Sequence, residues 1–200
     1  RRIWLIGHLK RPWVTSMDVA LELLRRLTVR GGVGWVHEFQ GPALKALSAT
    51  ERATICNLGA ELGATTSLFP SDEITRSFLR TQGRARDWIK MSPDPEAVYD
   101  DHLEINLDQL EPLVACPFSP DNVVPVKKII GLKVHQVCIG SCSNSSYASL
   151  KSVATLLAGK SIHPSISLLI NPGSREIMKT LAEKGDLETL LTSGARLLES

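Results

Sequence analysis

The chain has 200 residues, 43% of them hydrophobic, and a formal net charge of +2 at pH 7. This composition argues against disorder, and so small a charge gives no reason to expect nucleic acid or an anionic membrane as the main partner. The longest apolar stretches are about as long as one strand, so no membrane span is predicted. The cysteines form no close C-x-x-C pair and are expected to be reduced thiols: Cys56, Cys116, Cys138 and Cys142.

The first hundred residues alternate between strand-like and helix-like patterns. The predicted elements are a strand over Ile3–Leu9, a helix capped by Ser16 and running to Leu27, a strand over Val33–Phe39, and a helix over Asp72–Thr81. A capping box formed by Ser48 and Glu51 opens a further helix, which is expected to run to about Leu62 and to end at Gly63.

The second half of the chain predicts a parallel βαβ arrangement. A polar turn at Met91–Pro95 suggests a nearby domain boundary, and we place the domains at residues 1–103 and 104–200. The prolines between Pro112 and Pro125 predict an extended connection. The further elements are a strand over Leu103–Leu107, a strand over Val134–Ile139, a helix from Ser149, a strand over Ile166–Ile170, a helix over Arg175–Lys184 capped by Ser174, and a short strand near Ala195–Leu198. Such alternation is typical of α/β proteins.

A small polar loop with one thiol lies between the strand that ends at Ile139 and the following helix. Its sequence is Gly140-Ser141-Cys142-Ser143-Asn144-Ser145-Ser146-Tyr147. The thiol is therefore expected at the N-terminal end of a helix, where unpaired backbone N–H groups and the helix dipole favour an anion. Cys142 in that position could serve as a metal ligand or a nucleophile. The spacing alone fits a structural cysteine equally well, because buried thiols are common.

A second run decides between these alternatives. Residues 53–72 have the sequence ATICNLGAELGATTSLFPSD. This run resembles the signature of the aconitase family, and the loop Gly140–Tyr147 resembles the first cluster-cysteine loop of the same family, in the same order and at similar spacing. The resemblance covers the whole chain and implies an α/β fold of aconitase-like α/β/α domains with mixed or parallel sheets, truncated at both ends. It assigns residues 1–103 to the second domain of that fold and residues 104–200 to an incomplete third domain.

The resemblance implies an iron–sulfur site. Cys142 would be one of three thiolates that hold a [4Fe-4S] cluster, in which one iron stays open to substrate and water and acts as a Lewis acid. Ser141, Asn144 and Ser145 would form hydrogen bonds to the substrate or around the cluster. Ordinary helix capping explains such residues equally well.

Asn57 and Glu61 are a further pair of active-site residues that the resemblance implies. They are four positions apart in the predicted helix and would therefore share one face. The amide and the carboxylate would orient the substrate or the reacting water. A polar pair on a solvated face is the alternative. However, Ile55, Leu58 and Leu62 predict a largely buried helix, in which a carboxylate is usually paired or functional.

The other cysteines and the five histidines are assigned to structural roles. Cys56 and Cys138 lie in apolar stretches and are expected in the core, whereas Cys116 lies in the proline-rich connection without a partner motif. The histidines show no metal-ligand spacing: His8, His37, His102, His135 and His163.

The resemblance implies a hydro-lyase that interconverts citrate and isocitrate through cis-aconitate. The run Gly63–Ser67 favours this tricarboxylate substrate over the alternative, a segment of a 3-isopropylmalate or homoaconitate dehydratase large subunit. A non-enzymatic RNA-binding relative is a further alternative, but the chain has no stripe of basic and aromatic residues, so nucleic acid is not expected. The expected compartment is the bacterial cytoplasm or the mitochondrial matrix.

The chain is expected to be an internal segment of a larger enzyme. It begins at Arg1 rather than at Met, and Ser200 lies just before the place where the family's C-x-x-C pair would follow. The family's acid–base residues and carboxylate-binding arginines also lie outside this stretch. The remaining domains of the same enzyme or a complementary chain would therefore supply them.

The 200-residue chain alone should neither retain a stable cluster nor dehydrate substrate, because one thiolate cannot hold the cluster. The measurement is the iron content and turnover of the purified chain after anaerobic loading with iron and sulfide. Measurable turnover would contradict the expectation that most catalytic groups lie outside this segment.

Overall fold

Both halves of the chain are built on parallel sheets with helical crossovers. The computed structural model describes residues 1–198, and the chain divides into two units, Arg1–Ile130 and Gly131–Ser200. The expected α/β class with parallel sheets is confirmed. No described helix is both long enough and apolar enough to span a bilayer.

A four-stranded parallel sheet forms the centre of the first unit. Its strands are β1 (Arg2–Ile6), β2 (Val36–Gln40), β3 (Thr66–Leu68) and β4 (His102–Asn106), in the order β3-β2-β1-β4. Its helices are α1 (Ser16–Leu27), α2 (Ala49–Asn57) and α3 (Glu73–Thr81). An antiparallel hairpin of β5 (Leu113–Ala115) and β6 (Val123–Pro125) follows, where the prolines predicted only an extended connection. Three-residue strands are too short for alternation to reveal them.

The interior position of β1 follows from its side chains. Ile3 and Leu5 alternate with less buried neighbours and are fully buried. They share one core cluster with Leu23 and Leu24 of α1. Burial of each such side chain contributes about 2 kcal/mol, so this contact fixes α1 against the sheet.

The start of α1 is set by a side-chain cap. Thr15, rather than the predicted Ser16, is the cap: its side chain accepts a hydrogen bond from Met17 N–H, and Asp18 accepts one from Thr15 N–H at 2.7 Å. The other carboxylate oxygen of Asp18 accepts a hydrogen bond from Leu113 N–H at 2.7 Å. One carboxylate therefore caps the helix and holds the hairpin.

The predicted capping box opens α2, but this helix is shorter than predicted. It ends at Asn57, and residues 58–63 form a series of turns. Gly32 N–H donates a hydrogen bond to the Leu62 carbonyl at 2.8 Å. The N–H groups of residues 59–63 donate to carbonyls three residues back, which gives tight turns in place of a continued α-helix, and the neighbouring loop holds the end of this segment. Glu61 consequently lies outside α2 and does not share a helix face with Asn57.

The strand β4 belongs to the first unit. It pairs in parallel with β1 from His102 opposite Arg2 to Asn106 opposite Ile6. The predicted domain boundary after residue 103 therefore falls inside β4, and the division of the chain lies between Ile130 and Gly131.

The second unit has three parallel strands. They are β7 (Gln136–Gly140), β8 (Ser167–Asn171) and β9 (Arg196–Leu197), in the order β7-β8-β9. Its helices are α4 (Tyr147–Leu157), α5 (Arg175–Glu183) and α6 (Asp186–Thr192). The predicted βαβ arrangement is confirmed, although the pattern did not predict α6. Successive right-handed crossovers in one direction put all three helices on the same face of the sheet.

This one-sided arrangement explains the position of the residues in β7. Val137 and Ile139 pack against the buried cluster that contains Leu168 and Ile170 of β8. Cys138 lies between them in sequence and is exposed. The prediction that Cys138 belongs to the core is therefore wrong, because strand alternation places it on the face that the helices do not cover.

A buried arginine connects α2 to the start of α3. The Arg52 side chain is 4% exposed, and its two terminal nitrogens donate to both carboxylate oxygens of Asp72 at 3.0 and 2.7 Å. They also donate to the carbonyls of Leu44 and Pro70 at 2.9 and 3.2 Å. Asp72 in turn caps α3 by accepting hydrogen bonds from backbone N–H groups. A single ion pair therefore orders two helices.

Replacing Arg52 by Leu should lower the free energy of unfolding by about 3 kcal/mol, because it leaves Asp72 and two carbonyls without their donor. The measurement is urea unfolding. The matched control is Arg84→Gln, which breaks the exposed pair with Asp87 and should change stability by less than about 0.5 kcal/mol. Equal losses in the two variants would contradict the role of Arg52.

The contribution of Asp72 should also depend on pH. Burial raises the pKa of this carboxyl. The hydrogen bonds from Arg52 and from two backbone N–H groups lower it, and together they have the larger effect, so the pKa lies below its ordinary value. The stabilisation is therefore present above the unfolded-state pKa and is lost as the pH falls through the lowered folded-state pKa. The difference in stability between the wild type and Asp72→Asn should shrink in acid.

Candidate functional site

The loop that carries Cys142 joins the carboxyl end of β7 to the N-terminus of α4. Cys142 is exposed, and its Sγ lies 3.7 Å from Ser143 Oγ. Ser146 caps α4, since its Oγ accepts a hydrogen bond from Ser149 N–H at 3.2 Å. Cys142 thus lies in the loop between β7 and α4, four residues before the cap of the helix.

A close approach between two backbones fixes the start of this loop. Gly140 is paired with Asn171 of β8 and has a φ of +146°. A Cβ at Gly140 would lie 2.2 Å from the Asn171 carbonyl oxygen, so no larger residue fits there. The next residue, Ser141, has a φ of +64°, a conformation that non-glycine residues rarely adopt and that is frequent at functional sites.

A second loop supports the first from the side. Gly173, between β8 and α5, donates its N–H to the Ser145 carbonyl at 3.2 Å. A Cβ at Gly173 would lie 2.4 Å from Ser145 Oγ. Asn144 N–H donates to the Gly140 carbonyl at 3.3 Å and closes the turn around Cys142. The backbone thus holds the thiol loop at three points, and Ser141, Asn144 and Ser145 lie together with Cys142 as predicted.

Asn171 is a residue of this site that the sequence analysis missed. Its Oδ1 is buried and has no hydrogen-bond partner among the described residues. Buried acceptors are normally satisfied, so such an atom marks a place where a further group can bind. The signal was present in the sequence, since a polar residue directly follows the apolar strand that pairs with β7.

Asn57 and Glu61 lie in the first unit, apart from the unit that holds the thiol loop. Asn57 is the last residue of α2, and Glu61 lies in the turns that follow, where its N–H donates to the Leu58 carbonyl at 3.2 Å. Both side chains are exposed. The prediction that they lie on a largely buried helix is therefore wrong, although exposure leaves the amide and the carboxylate accessible to a ligand.

The other thiols and the histidines differ from Cys142 in their surroundings. Cys56 donates to the Ser67 carbonyl at 3.5 Å, and burial raises its pKa to about 11, as expected for a core thiol. Burial, together with the charges of Arg1 and the N-terminus, lowers the pKa of the fully buried His37 to about 4. His8 is exposed and lies 3.8 Å from Asp108.

A cluster would find one thiolate ligand in this loop. Cys142 is accessible, it follows a strand end, and an unused acceptor of Asn171 lies in the paired strand. Within residues 1–198, no three His, Cys, Asp or Glu side chains are grouped so that they could hold a metal ion. The thiol loop therefore fits the role of one ligand, and a complete ligand set needs residues beyond those described.

The fold places this chain in the broad class of parallel α/β enzymes and binding proteins. In that class, the loops that bind ligands follow the carboxyl ends of the strands. Within that class, the family model described as Aconitase family (aconitate hydratase) matches residues 1–131 and 127–200. The chain belongs to the aconitase family, and the resemblance found in its sequence is confirmed.

Known relatives differ in the substrates that their names give. The 3-isopropylmalate dehydratase large subunit 1 of Methanopyrus kandleri is 36% identical over 97% of this chain and 46% of its own length. The mitochondrial homocitrate dehydratase of Saccharomyces cerevisiae is 37% identical over 93% of this chain and 26% of its own length. The solved structure of Thermococcus kodakaraensis aconitase X has a TM-score of 0.48 and 16% identity, over 99% of this chain and 43% of its own. The chain spans less than half the length of these relatives.

The expected preference for citrate is not supported. Large subunits of 3-isopropylmalate dehydratase from further organisms match at 35 to 36% identity, which favours the alternative substrate class. The structure explains why the run Gly63–Ser67 misled the prediction. Gly63 has a φ of +73°, Ala64 bridges to Val33, and β3 pairs with β2. Backbone packing thus also shapes this run, so its sequence is not a signal of the substrate alone.

Gly140→Ala should destabilise the second unit by about 3 kcal/mol, because the new Cβ would collide with the Asn171 carbonyl. The matched control is Gly159→Ala, where φ is also positive but no atom lies within 4 Å of the new Cβ. The control should lose only about 1 kcal/mol, the cost of the backbone conformation alone. The free energy of unfolding measures both, and equal losses would show that the close approach does not matter.

Proposed function

We propose that this chain is a segment of an aconitase-family hydro-lyase of the 3-isopropylmalate dehydratase type. The observation that carries the proposal is the exposed Cys142 thiol, which three backbone hydrogen-bond and packing contacts hold at the carboxyl edge of the sheet. A reaction that removes water from a hydroxy acid needs a group that assists the departure of hydroxide, and a thiolate-bound cluster meets that need.

Cys142 would hold one corner of a [4Fe-4S] cluster, which supplies Lewis-acid assistance to hydroxide loss when bound. Ser141, Asn144 and Ser145 keep the thiol in place through the shape of their loop and the contact with Gly173. Their role is therefore to position Cys142 and to line the space beside it.

Asn57 and Glu61 would bind and orient the substrate. The exposed amide of Asn57 can donate a hydrogen bond to a substrate carboxylate, and the exposed carboxylate of Glu61 can accept one from a substrate hydroxyl. Such contacts fix the hydroxy acid so that the bond to its hydroxyl is held in one orientation. The turn of residues 58–63 places Glu61 after the helix end, which leaves both groups reachable from solvent.

A hydroxytricarboxylate such as citrate or homocitrate is the second candidate substrate class. The yeast relative named homocitrate dehydratase is as similar to this chain as the isopropylmalate enzymes are. Relatives named as large subunits also support a complementary chain as the partner. The compartment proposed is the bacterial cytoplasm or, as in the name of the yeast relative, the mitochondrion.

The proposal predicts that Cys142→Ser, in the complete enzyme with its partner, loses cluster iron and falls in turnover by at least about a hundredfold. The matched control is Cys138→Ser, an exposed thiol on the adjoining strand, which should keep both. Iron and sulfide content, the spectrum of the cluster, and initial rates on 3-isopropylmalate, citrate and homocitrate are measured for each protein.

Full iron content in Cys142→Ser would overturn the ligand role. A preference of the wild type for citrate or homocitrate over 3-isopropylmalate would overturn the first substrate class while leaving the hydro-lyase intact. Failure of the wild type to dehydrate any of the three acids would overturn the proposed function.

A further inference from the structure

A cavity of about 420 Å³ lies in the first unit, beside the outer edge of β4. Its walls come from the last turns of α1, the segment after β4 and the hairpin of β5 and β6. None of the predicted active-site residues lines it. Its size is in the range of cavities that hold small organic molecules.

A buried carboxylate fixes two arginines at this cavity. The Glu22 side chain is 6% exposed, and it accepts hydrogen bonds from Arg25 Nε and Nη2 at 2.7 and 2.8 Å. It also accepts one from Arg26 Nε at 2.6 Å. Burial raises the pKa of Glu22, but the hydrogen bonds and charges of the two arginines outweigh it, so the pKa lies below its ordinary value. Both guanidinium groups are therefore held in fixed orientations by an ionised acid.

Each arginine keeps donors beyond those that it uses on Glu22. Arg26 Nη1 donates to the Glu104 carbonyl at 2.8 Å, which pins this guanidinium to the edge of β4. No bond to Arg25 Nη1 or to Arg26 Nη2 is found among the described residues. These N–H groups remain available to an acceptor that enters the cavity.

A lysine adds a further positive charge to the same wall. Lys128 is exposed and lines the cavity, and it takes part in no ion pair within the described part of the chain. Its neighbour Lys127 is paired with Glu111 at 2.6 Å. The lining carries two carboxylates, Glu22 and Glu111, against the charges of Arg25, Arg26 and Lys128, and Glu111 is further neutralised by Lys127, so the cavity keeps a positive balance. An anionic ligand would complete it.

Part of the cavity wall is apolar. Leu110 and Val123 line the cavity and are 5% and 8% exposed. Inorganic phosphate would leave this wall uncovered, whereas an organic acid can place a short hydrocarbon skeleton against it and its carboxylates on the guanidinium groups. We propose that this cavity binds a small organic acid with two or more carboxylates, held by Arg25, Arg26 and Lys128. This site does not depend on the function proposed for Cys142.

The test is calorimetric titration of the complete protein with propane-1,2,3-tricarboxylate, with inorganic phosphate and acetate as further probes. Lys128→Gln should weaken binding of the tricarboxylate about tenfold, the effect of losing one charge-assisted hydrogen bond. Arg25→Gln should weaken it at least as much, while Glu22 keeps Arg26 as a partner. The matched control is Lys45→Gln, which removes an exposed charge of the first unit that does not line the cavity and should change the affinity less than about twofold.

Equal affinity in the wild type, Lys128→Gln and Arg25→Gln would show that the tricarboxylate binds elsewhere and would overturn the proposal. Phosphate or acetate that binds as tightly as the tricarboxylate would overturn the ligand class. Single-stranded RNA that is retained by the wild type and lost equally in both lysine variants would instead indicate a general polyanion surface. Thermal melting checks that each variant is folded. Lys128→Gln should melt like the wild type, because Lys128 has no ion pair within the described residues to lose.

Discussion

The site near Cys142 depends on the parallel pairing of β7 and β8 at their carboxyl ends. Gly140 faces Asn171 at so short a distance that only a glycine fits. Because parallel strands end at the same edge, the two loops that follow them leave the sheet side by side. The hydrogen bond from Gly173 to Ser145 then joins the loops directly. The position of the thiol is therefore set by backbone geometry more than by its own contacts.

The same geometry brings helix N-termini to the thiol side of the sheet. Ser146 caps α4 and Ser174 caps α5, each with its side-chain oxygen on a backbone N–H group. Right-handed crossovers run in one direction in this unit, so the helices pack together on one face and leave Cys138 exposed on the other. Cys138 and Cys142 are four positions apart but have different surroundings. Cys142 lies in the loop between a strand end and a helix start, whereas Cys138 lies within a strand on an uncovered face.

Much of this could be predicted from the sequence where one local signal dominates. Apolar runs or alternation found the strands β1, β4 and β8, and polar caps found the starts of α2 and α5. The end of α2 could not be predicted, because residues 58–63 form turns that are tied to a loop distant in sequence by the hydrogen bond from Gly32 to Leu62. Asn57 and Glu61 were found by resemblance alone, and their exposure depends on tertiary contacts. Asn171 was missed because a single polar residue after an apolar strand is a weak signal, which gains meaning only once the strand is seen to pair with β7.

Buried charges in the first unit act in two different ways. Arg52 directs both terminal nitrogens to Asp72 and to two carbonyls, so they order α2 and α3. Glu22 is the reverse case, an interior acid shared by two arginines whose other N–H groups face a cavity. Burying an ionised group is costly unless its partners are fixed. Arg52 lies in α2 and its partner Asp72 caps α3, so this buried charge orders the fold. The partners of Glu22 are two arginines whose positive charge is held in a fixed orientation and faces solvent, where an anion can reach it.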